Sequence, residues 1–563
     1  MAQQQQNISI SAPGFQGINT EDSPLQQEPG FASVADNCII DAFGRVGSRE
    51  AFGSYTDTDD IPYDNAAGAT TETKQFKQIG GGFIGDEFFT IVIVSHIQYS
   101  SVGVVLAEDN YIAKVVGQAV INLPFPALQD ERNLNNAKIL AFNDDIYIFS
   151  KGNEALRFDG LTIELLFGGT VDVDYIPPTD DTGVLAVEMD GEIATAAYGR
   201  LWVSGVNNDY NTVYYSDLLI GDQWYDGRAV PIDTQNTGGI IDVSQYWPQG
   251  SDRITGIVAH NGLLVIFGRH SILIYGSGNN FADPADIGGL VLQDTITNLG
   301  LVNRDAVVAT GSELMYVDDS GVRSLGRTIQ EKSVPLGNMT QNVKGQLQAV
   351  IATENEQDIS LFFMPDKNLV VCQLAGTQQA YVMNVLQPAV NGAMKITRWT
   401  DTKFNRGFYV EEGGDSYTLL AGKDTGGVLK YESYIEWDDE PYLMKYASNI
   451  FTFGDSLVQK FVKQVDFTII STQIDAPAVV RWGYSGTLDY WANKIITAQV
   501  PALYNIDSFT HATFSPALST LKRYRTNTKG SGALVRVGFE GNINGNSMSI
   551  QEINIQTLLG RIY

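Results

Sequence analysis

Residues 252–276, DRITGIVAHNGLLVIFGRHSILIYG, constrain the fold of this chain more than any other stretch. Three runs of β-branched, aliphatic and aromatic residues, 255–259, 263–267 and 271–275, are separated by His260-Asn261-Gly262 and Gly268-Arg269-His270. Runs this short, broken by turn residues at hairpin spacing, predict an antiparallel meander. The pattern recurs at 76–116, 137–159, 193–217, 306–325, 347–374 and 407–431. First turns at Asp144, Gly199, Gly262, Gly311, Gln357 and Gly414 fall roughly 45–65 residues apart, near the about 40–50 of a propeller blade with loop insertions. A generic series of sandwich hairpins is the competing fold, because its turn spacing is similar.

The ends of the chain have a different texture. Residues 1–30 are polar, with Gln3–Gln6, Pro13-Gly14 and Pro24, and read as an arm. Residues 31–53 read as a hairpin turning at Asp41-Ala42-Phe43-Gly44. Beyond 440, longer strands on a period of two are expected at 461–470, 479–482, 533–539 and 547–555, which suggests a β-sandwich. The expected fold class is therefore all-β, an irregular β-propeller plus a β-sandwich platform domain. Residues 1–53 form the N-terminal arm and hairpin joining the platform, 66–435 the propeller-like domain and 440–563 the C-terminal sandwich.

With 563 residues the chain exceeds one small core, and its 56 glycines imply many tight turns. Its formal net charge of −29 argues against gripping nucleic acid through a basic surface. The start, MAQQQQNISIS, lacks the basic and apolar regions of a signal peptide, and the longest apolar run, 88–94, is too short to span a bilayer. The expectation is synthesis in a cytoplasm without a membrane anchor. Cys38 and Cys372 lie in apolar runs and are expected to be buried free thiols.

No zinc, phosphate-loop or nucleophile-elbow motif is present, and His96, His260, His270 and His511 have no metal-ligand spacing. The histidines at 260 and 270 read as turn residues. Acidic clusters at Asp57/Asp59/Asp60/Asp64, Asp172/Asp174/Asp180/Asp181 and Asp438/Asp439/Glu440 have the oxygen chemistry calcium needs, but lack EF-hand alternation and read as solvated loops. Residues 215–224, YSDLLIGDQW, are similar to a sialidase-type box, once and with different spacing. No catalytic, cofactor-binding or metal-binding residue is assigned, and the chain is not expected to be an enzyme. One basic cluster stands out in an acidic chain: Lys522, Arg523, Arg525 and Lys529, placed in a loop between sandwich strands. It is the candidate contact for DNA or an acidic partner, with a solvated loop as the alternative.

Several stretches resemble a known family. They are Gly17-Ile18, Asn37, Gly44-Arg45 and Arg49, in that order, then GRLWVSG (199–205), NTVYYSD (211–217), the 252–276 meander, VDDSGVRSL, and the C-terminal SIQEINIQTLLGRIY. Together they are similar to the nozzle, or tail tubular protein B, of podovirus-type phages and to related DNA-stabilisation tail proteins. The resemblance implies an irregular propeller beside a sandwich platform and no catalytic residues. It implies a homo-hexameric ring in the virion tail, assembled in the host cytoplasm below an adaptor ring, with tail fibres or a tail tip as further neighbours. Genomic double-stranded DNA would be retained by the ring and pass through its lumen without sequence-specific binding. The N-terminal hairpin and sandwich would face the adaptor, and the propeller would extend distally. Six such chains would carry a formal charge near −174 (6 × −29), so their lumen would repel phosphate and offer DNA few traps. A glycan-binding or glycan-degrading propeller acting on a host surface is the alternative function; it would need converging carboxylates and aromatic platforms.

Overall fold

The computed structural model describes residues 5–56, 69, 71–125, 134, 136–166, 189–224, 238–277, 290–311, 313–331, 338–412, 415–423, 425–432, 434, 436, 438, 440–471, 476–496, 520–545 and 547–562. Seven antiparallel sheets follow one another along residues 71–431 and are arranged about a common axis. The first four are four-stranded, at 71–123, 138–165, 193–242 and 254–297. The fifth, at 307–324, has three strands and is followed by the helices Leu325–Glu331 and Lys344–Ile351. The sixth spans 359–400, and the seventh spans 404–431. Among the described residues these sheets make an irregular propeller of seven blades.

Local chemistry sets the blades. In blades two, three and four the first hairpin is a two-residue turn whose residues both have positive φ. These turns are Asn143-Asp144, Tyr198-Gly199 and Asn261-Gly262, the geometry whose twist matches that of the flanking strands. Asp252 fastens the second turn of blade four: its carboxylate accepts the backbone N–H groups of Arg269 (2.9 Å) and His270 (2.9 Å). The expected three-stranded meander gains a fourth strand, Leu290–Thr297. The sixth unit, expected from residue 347, has its first strand at Ile359–Met364, because Leu347 lies on a helix.

Neighbouring blades share apolar layers. Ile91 and Ile93 of blade one meet Ile146 and Ile148 of blade two. Trp202 of blade three packs among Leu264, Ile266 and Leu273 of blade four. Phe267 of blade four lies 5.2 Å from the ring of Tyr316 in blade five. The circle closes where Val410, Leu419 and Val428 of blade seven meet Phe76, Val92 and Val94 of blade one. Blade seven takes its fourth strand, Phe52–Ser54, from the far end of the chain, pairing Tyr431 with Phe52.

Both chain ends enter the sandwich. One sheet orders Thr520–Asn527, Val458–Ser471, Met548–Ile562, Val46–Ser48 and Cys38–Ile40, with Gln5–Ser11 paired along Met548–Ile562. The expected N-terminal arm is thus partly a strand, in which Ile8 and Ile10 face Ile555 and Ile553. The other sheet orders Phe31–Asp36, Tyr442–Ser448, Val535–Ile543, Ala476–Tyr484 and Tyr490–Ile496. Phe467 and Phe539 join the two inner faces at 5.4 Å between rings. A parallel pairing of Arg398 with Asp36 extends the second sheet into blade six, making ten strands with the short Gly17–Ile18 strand. The expected 31–53 hairpin is therefore divided among both sandwich sheets and blade seven. Among the described residues no helix is long and apolar enough to cross a membrane.

Candidate functional site

Three polar constellations stand out: the propeller axis, the junction of propeller and sandwich, and the outer edge of the sandwich. At the axis, Lys138 from blade two reaches Asp305 on the segment entering blade five, with Nζ to Oδ1 at 2.8 Å. Arg304 donates to the carbonyl oxygens of Glu192 and Asn136, joining blade five to the entries of blades two and three. Arg406 of blade seven donates to the Gln357 carbonyl and holds Nε 3.7 Å from Asp305 Oδ2. Burial pushes the Asp305 carboxyl up, but the three cations outweigh it and hold the group well below the usual carboxylate range. Around them runs a girdle of side chain to backbone bonds. Gln78 bonds Ala137 (2.9 Å), Asn303 bonds Ile359 (3.1 Å) and Asn405 bonds Phe76 (2.7 Å). These groups cross between blades two, three, five and seven, so the arrangement is a staple between blades, beside a cavity of about 210 Å³ that Asn136, Glu192, Arg304 and Gln357 help to line.

At the junction, Asn37 sits at φ 52 and uses both ends of its amide. Its Nδ2 donates to Thr400 Oγ1 (3.0 Å) and the Leu443 carbonyl (3.1 Å). Its Oδ1 accepts from Thr400 N (3.0 Å) and Arg49 Nε (3.2 Å). Arg49 is buried between the rings of Phe52 (4.1 Å) and Tyr442 (4.2 Å) and pairs with Glu436 at 2.6 Å. Gly17 is equally constrained: at φ 85, a Cβ there would lie 2.6 Å from the Ile396 backbone. Above this knot opens a cleft of about 370 Å³ lined by Asp36, Asp401, Glu436, Asp438, Glu440 and Lys445 among others. Asp438 and Glu440 are exposed, with no ion-pair partner among the described residues. In the sequence only its Asp438 and Glu440 edge stood out, as part of an acidic cluster; the rest comes together from positions 36 and 401.

The predicted basic cluster lies elsewhere, and three of its four members are on a strand and not in a loop. Lys522, Arg523 and Arg525 belong to Thr520–Asn527, the last strand of its sheet, and Lys529 follows it. The reason is register: Arg523 and Arg525 pair across to Thr468 and Asp466. Asp466 is fully buried and binds Arg523 Nε at 3.0 Å and Arg525 Nε at 3.7 Å. The two guanidinium groups are half exposed and largely exposed, at 47% and 62%. Lys522 lies 5.5 Å from the Tyr524 ring, and Lys529 lies 5.7 Å from the Tyr490 ring. Lys494, on the terminal strand of the other sheet, donates to the Arg525 carbonyl at 2.7 Å, so the two sheet edges adjoin. Trp491, Ile495 and Leu521 are exposed along them.

The remaining candidates have structural surroundings. His96 is buried against Glu72 (2.9 Å), His260 contacts Asn261, and His511 lies outside the described residues. The acidic clusters at 57–64 and 172–181, with Asp439, also lie outside them. The described residues hold no group of three or more potential metal ligands. Within 215–224, Ser216 bridges to Trp224, whose indole N–H donates to Gly221 O at 2.9 Å. Cys38 and Cys372 are both buried free thiols, and burial pushes the Cys372 thiol up to about 12.

No family model matches the chain, and no curated protein matches it. Among solved structures, Hsv2 of Kluyveromyces lactis aligns at 13% identity over 56% of this chain and 96% of its own, with a TM-score of 0.28. YCF48 from Cyanidioschyzon merolae aligns at 10% identity over 61% and 80%, with a TM-score of 0.23. An exo-beta-1,3-galactanase from Phanerochaete chrysosporium aligns at 10% identity over 92% and 100%, with a TM-score of 0.25. At this overlap they carry no argument about what the chain does.

Proposed function

We propose that this chain is a structural subunit of a phage tail nozzle, six copies of which form a ring that extends the tail channel below an adaptor, retains genomic DNA and conducts it during ejection. The observation that carries the reading is the continuous ten-stranded sheet, which merges blade six with a sandwich built from both chain ends. A wall element must transmit load without hinging, and an uninterrupted sheet does so through backbone hydrogen bonds. The staple between blades supports the same reading: bonds that tie blades two, three and five together stiffen the propeller as a wall element. A formal charge of −29 suits a conduit that must release its cargo.

A glycan-binding function is the second reading. The groove between blades seven and one, lined by Tyr55, Phe88, Tyr417, Lys114 and Glu87, offers the aromatic faces it needs. Electron microscopy of the particle decides between them. A six-fold ring on the tail axis is expected; three-fold or twelve-fold symmetry, or a stable monomer that binds or cleaves polysaccharide, would reject the nozzle.

A further inference from the structure

Two places along one sandwich sheet carry opposite charge: its junction with blade six and its far edge. At one place, where Phe31–Asp36 meets Tyr442–Ser448, lies the cleft, in which Asp401 pairs with Lys403 and Glu436 with Arg49, while the exposed Asp438 and Glu440 have no ion-pair partner among the described residues. At the far edge, Tyr490–Ile496 is the terminal strand, and it adjoins the terminal strand Thr520–Asn527 of the second sheet. Three strands lie between Phe31–Asp36 and Tyr490–Ile496, so four inter-strand spacings set them about 20 Å apart. The terminal strands form a ridge whose flanks expose Trp491 (63%), Ile495 (64%) and Leu521 (63%), with Arg523 and Arg525 beside Leu521.

We propose that the ridge of one copy docks into the acidic cleft of the next, in a head-to-tail interface. The occupant follows from charge. In a chain of formal charge −29, this ridge gathers Lys494, Lys522, Arg523, Arg525 and Lys529, and the same chain carries the complementary cleft. The apolar component favours protein over DNA: exposed Trp, Ile and Leu beside Arg are the composition of a protein contact, whereas phosphate recognition needs cations alone. Asp466 holds Arg523 and Arg525 in place, so their exposed guanidinium groups are presented to a partner already ordered. Two different patches in contact make the interface heterologous, so repetition gives a closed ring or an open filament. Closure at six rests on the nozzle reading.

Two variants of the full chain test this. The ridge variant carries Trp491→Ala and Arg525→Ala; the cleft variant carries Asp438→Asn and Glu440→Gln. All four side chains are exposed, and unchanged near-ultraviolet circular dichroism and melting will verify folding. In sedimentation velocity at low salt, wild type should assemble beyond dimers. Each variant alone should associate on the order of tenfold or more weakly. A 1:1 mixture should stop at dimers, because one intact ridge meets one intact cleft. Variants that assemble like wild type, a mixture that assembles fully, or a wild type monomeric at every concentration would each overturn the docking proposal and leave the ring to microscopy. Variants that abolish an assembly that is not six-fold would support the docking while removing the nozzle reading.

Discussion

Burial should push the Asp305 carboxyl up, yet Lys138, Arg304 and Arg406 hold it well below its ordinary range. A carboxyl depressed in the folded state contributes stability above its unfolded pKa of about 3.9 and loses that contribution as pH falls below it. Asp305→Asn should therefore cost about 3–5 kcal/mol at neutral pH, because three cations lose their buried partner. It should also flatten the decline in stability on acidification. Urea titrations of both proteins at pH 7 and pH 3.5 measure the two effects, and an equal acid penalty in both would exclude Asp305 as its source. Asn37 acts similarly without charge. Asn37→Ala leaves Arg49 Nε, Thr400 N and the Leu443 carbonyl short of a partner, and should cost about 2–4 kcal/mol, read as a lowered midpoint with unchanged slope.

At the scale of elements, the closing strand Phe52–Ser54 joins the first and last parts of the propeller. Phe52 is fully buried against Phe404 (5.0 Å), Trp399 (5.8 Å) and Tyr431 (6.1 Å). Phe52→Ala should cost about 3–5 kcal/mol and remove hydrogen-exchange protection first from Val428–Tyr431. Exchange lost uniformly across all blades would mean that closure is not local. This strand also shows where sequence reading stops. The blade hairpins were legible because Asn143-Asp144, Tyr198-Gly199 and Asn261-Gly262 write their turns locally. Nothing local in Phe52–Ser54 points to a partner near residue 430. The N-terminal strand was hidden by its glutamines, although Ile8 and Ile10 keep the period of two. Thr520–Asn527 read as a loop because it is charged, and charge is what a terminal strand uses to resist unwanted pairing. The staple between blades, and all of the cleft but its Asp438 and Glu440 edge, were illegible for a further reason: each is assembled by closure of the fold from distant positions.

For the whole molecule, the decisive balance is between one cationic ridge and an acidic total. If the ridge gripped phosphate, each contact would release counterions and the affinity for duplex would fall steeply with salt. Asp466 already occupies the inner side of Arg523 and Arg525, and Lys522 and Lys529 stand beside Tyr524 and Tyr490. A chain of formal charge −29 repels a polyanion before these groups can act at short range. Wild type should therefore show no retention of duplex DNA in fluorescence anisotropy at physiological salt. The variant Lys522→Glu/Lys529→Glu should behave identically there, while its self-association should weaken and lose part of its salt dependence. The opposite pattern, tight duplex binding that the double variant abolishes with self-association untouched, would assign the ridge to DNA. The contrast separates a surface that meets another copy of this chain from one that meets nucleic acid, because only the first needs its cations matched by carboxylates on that copy.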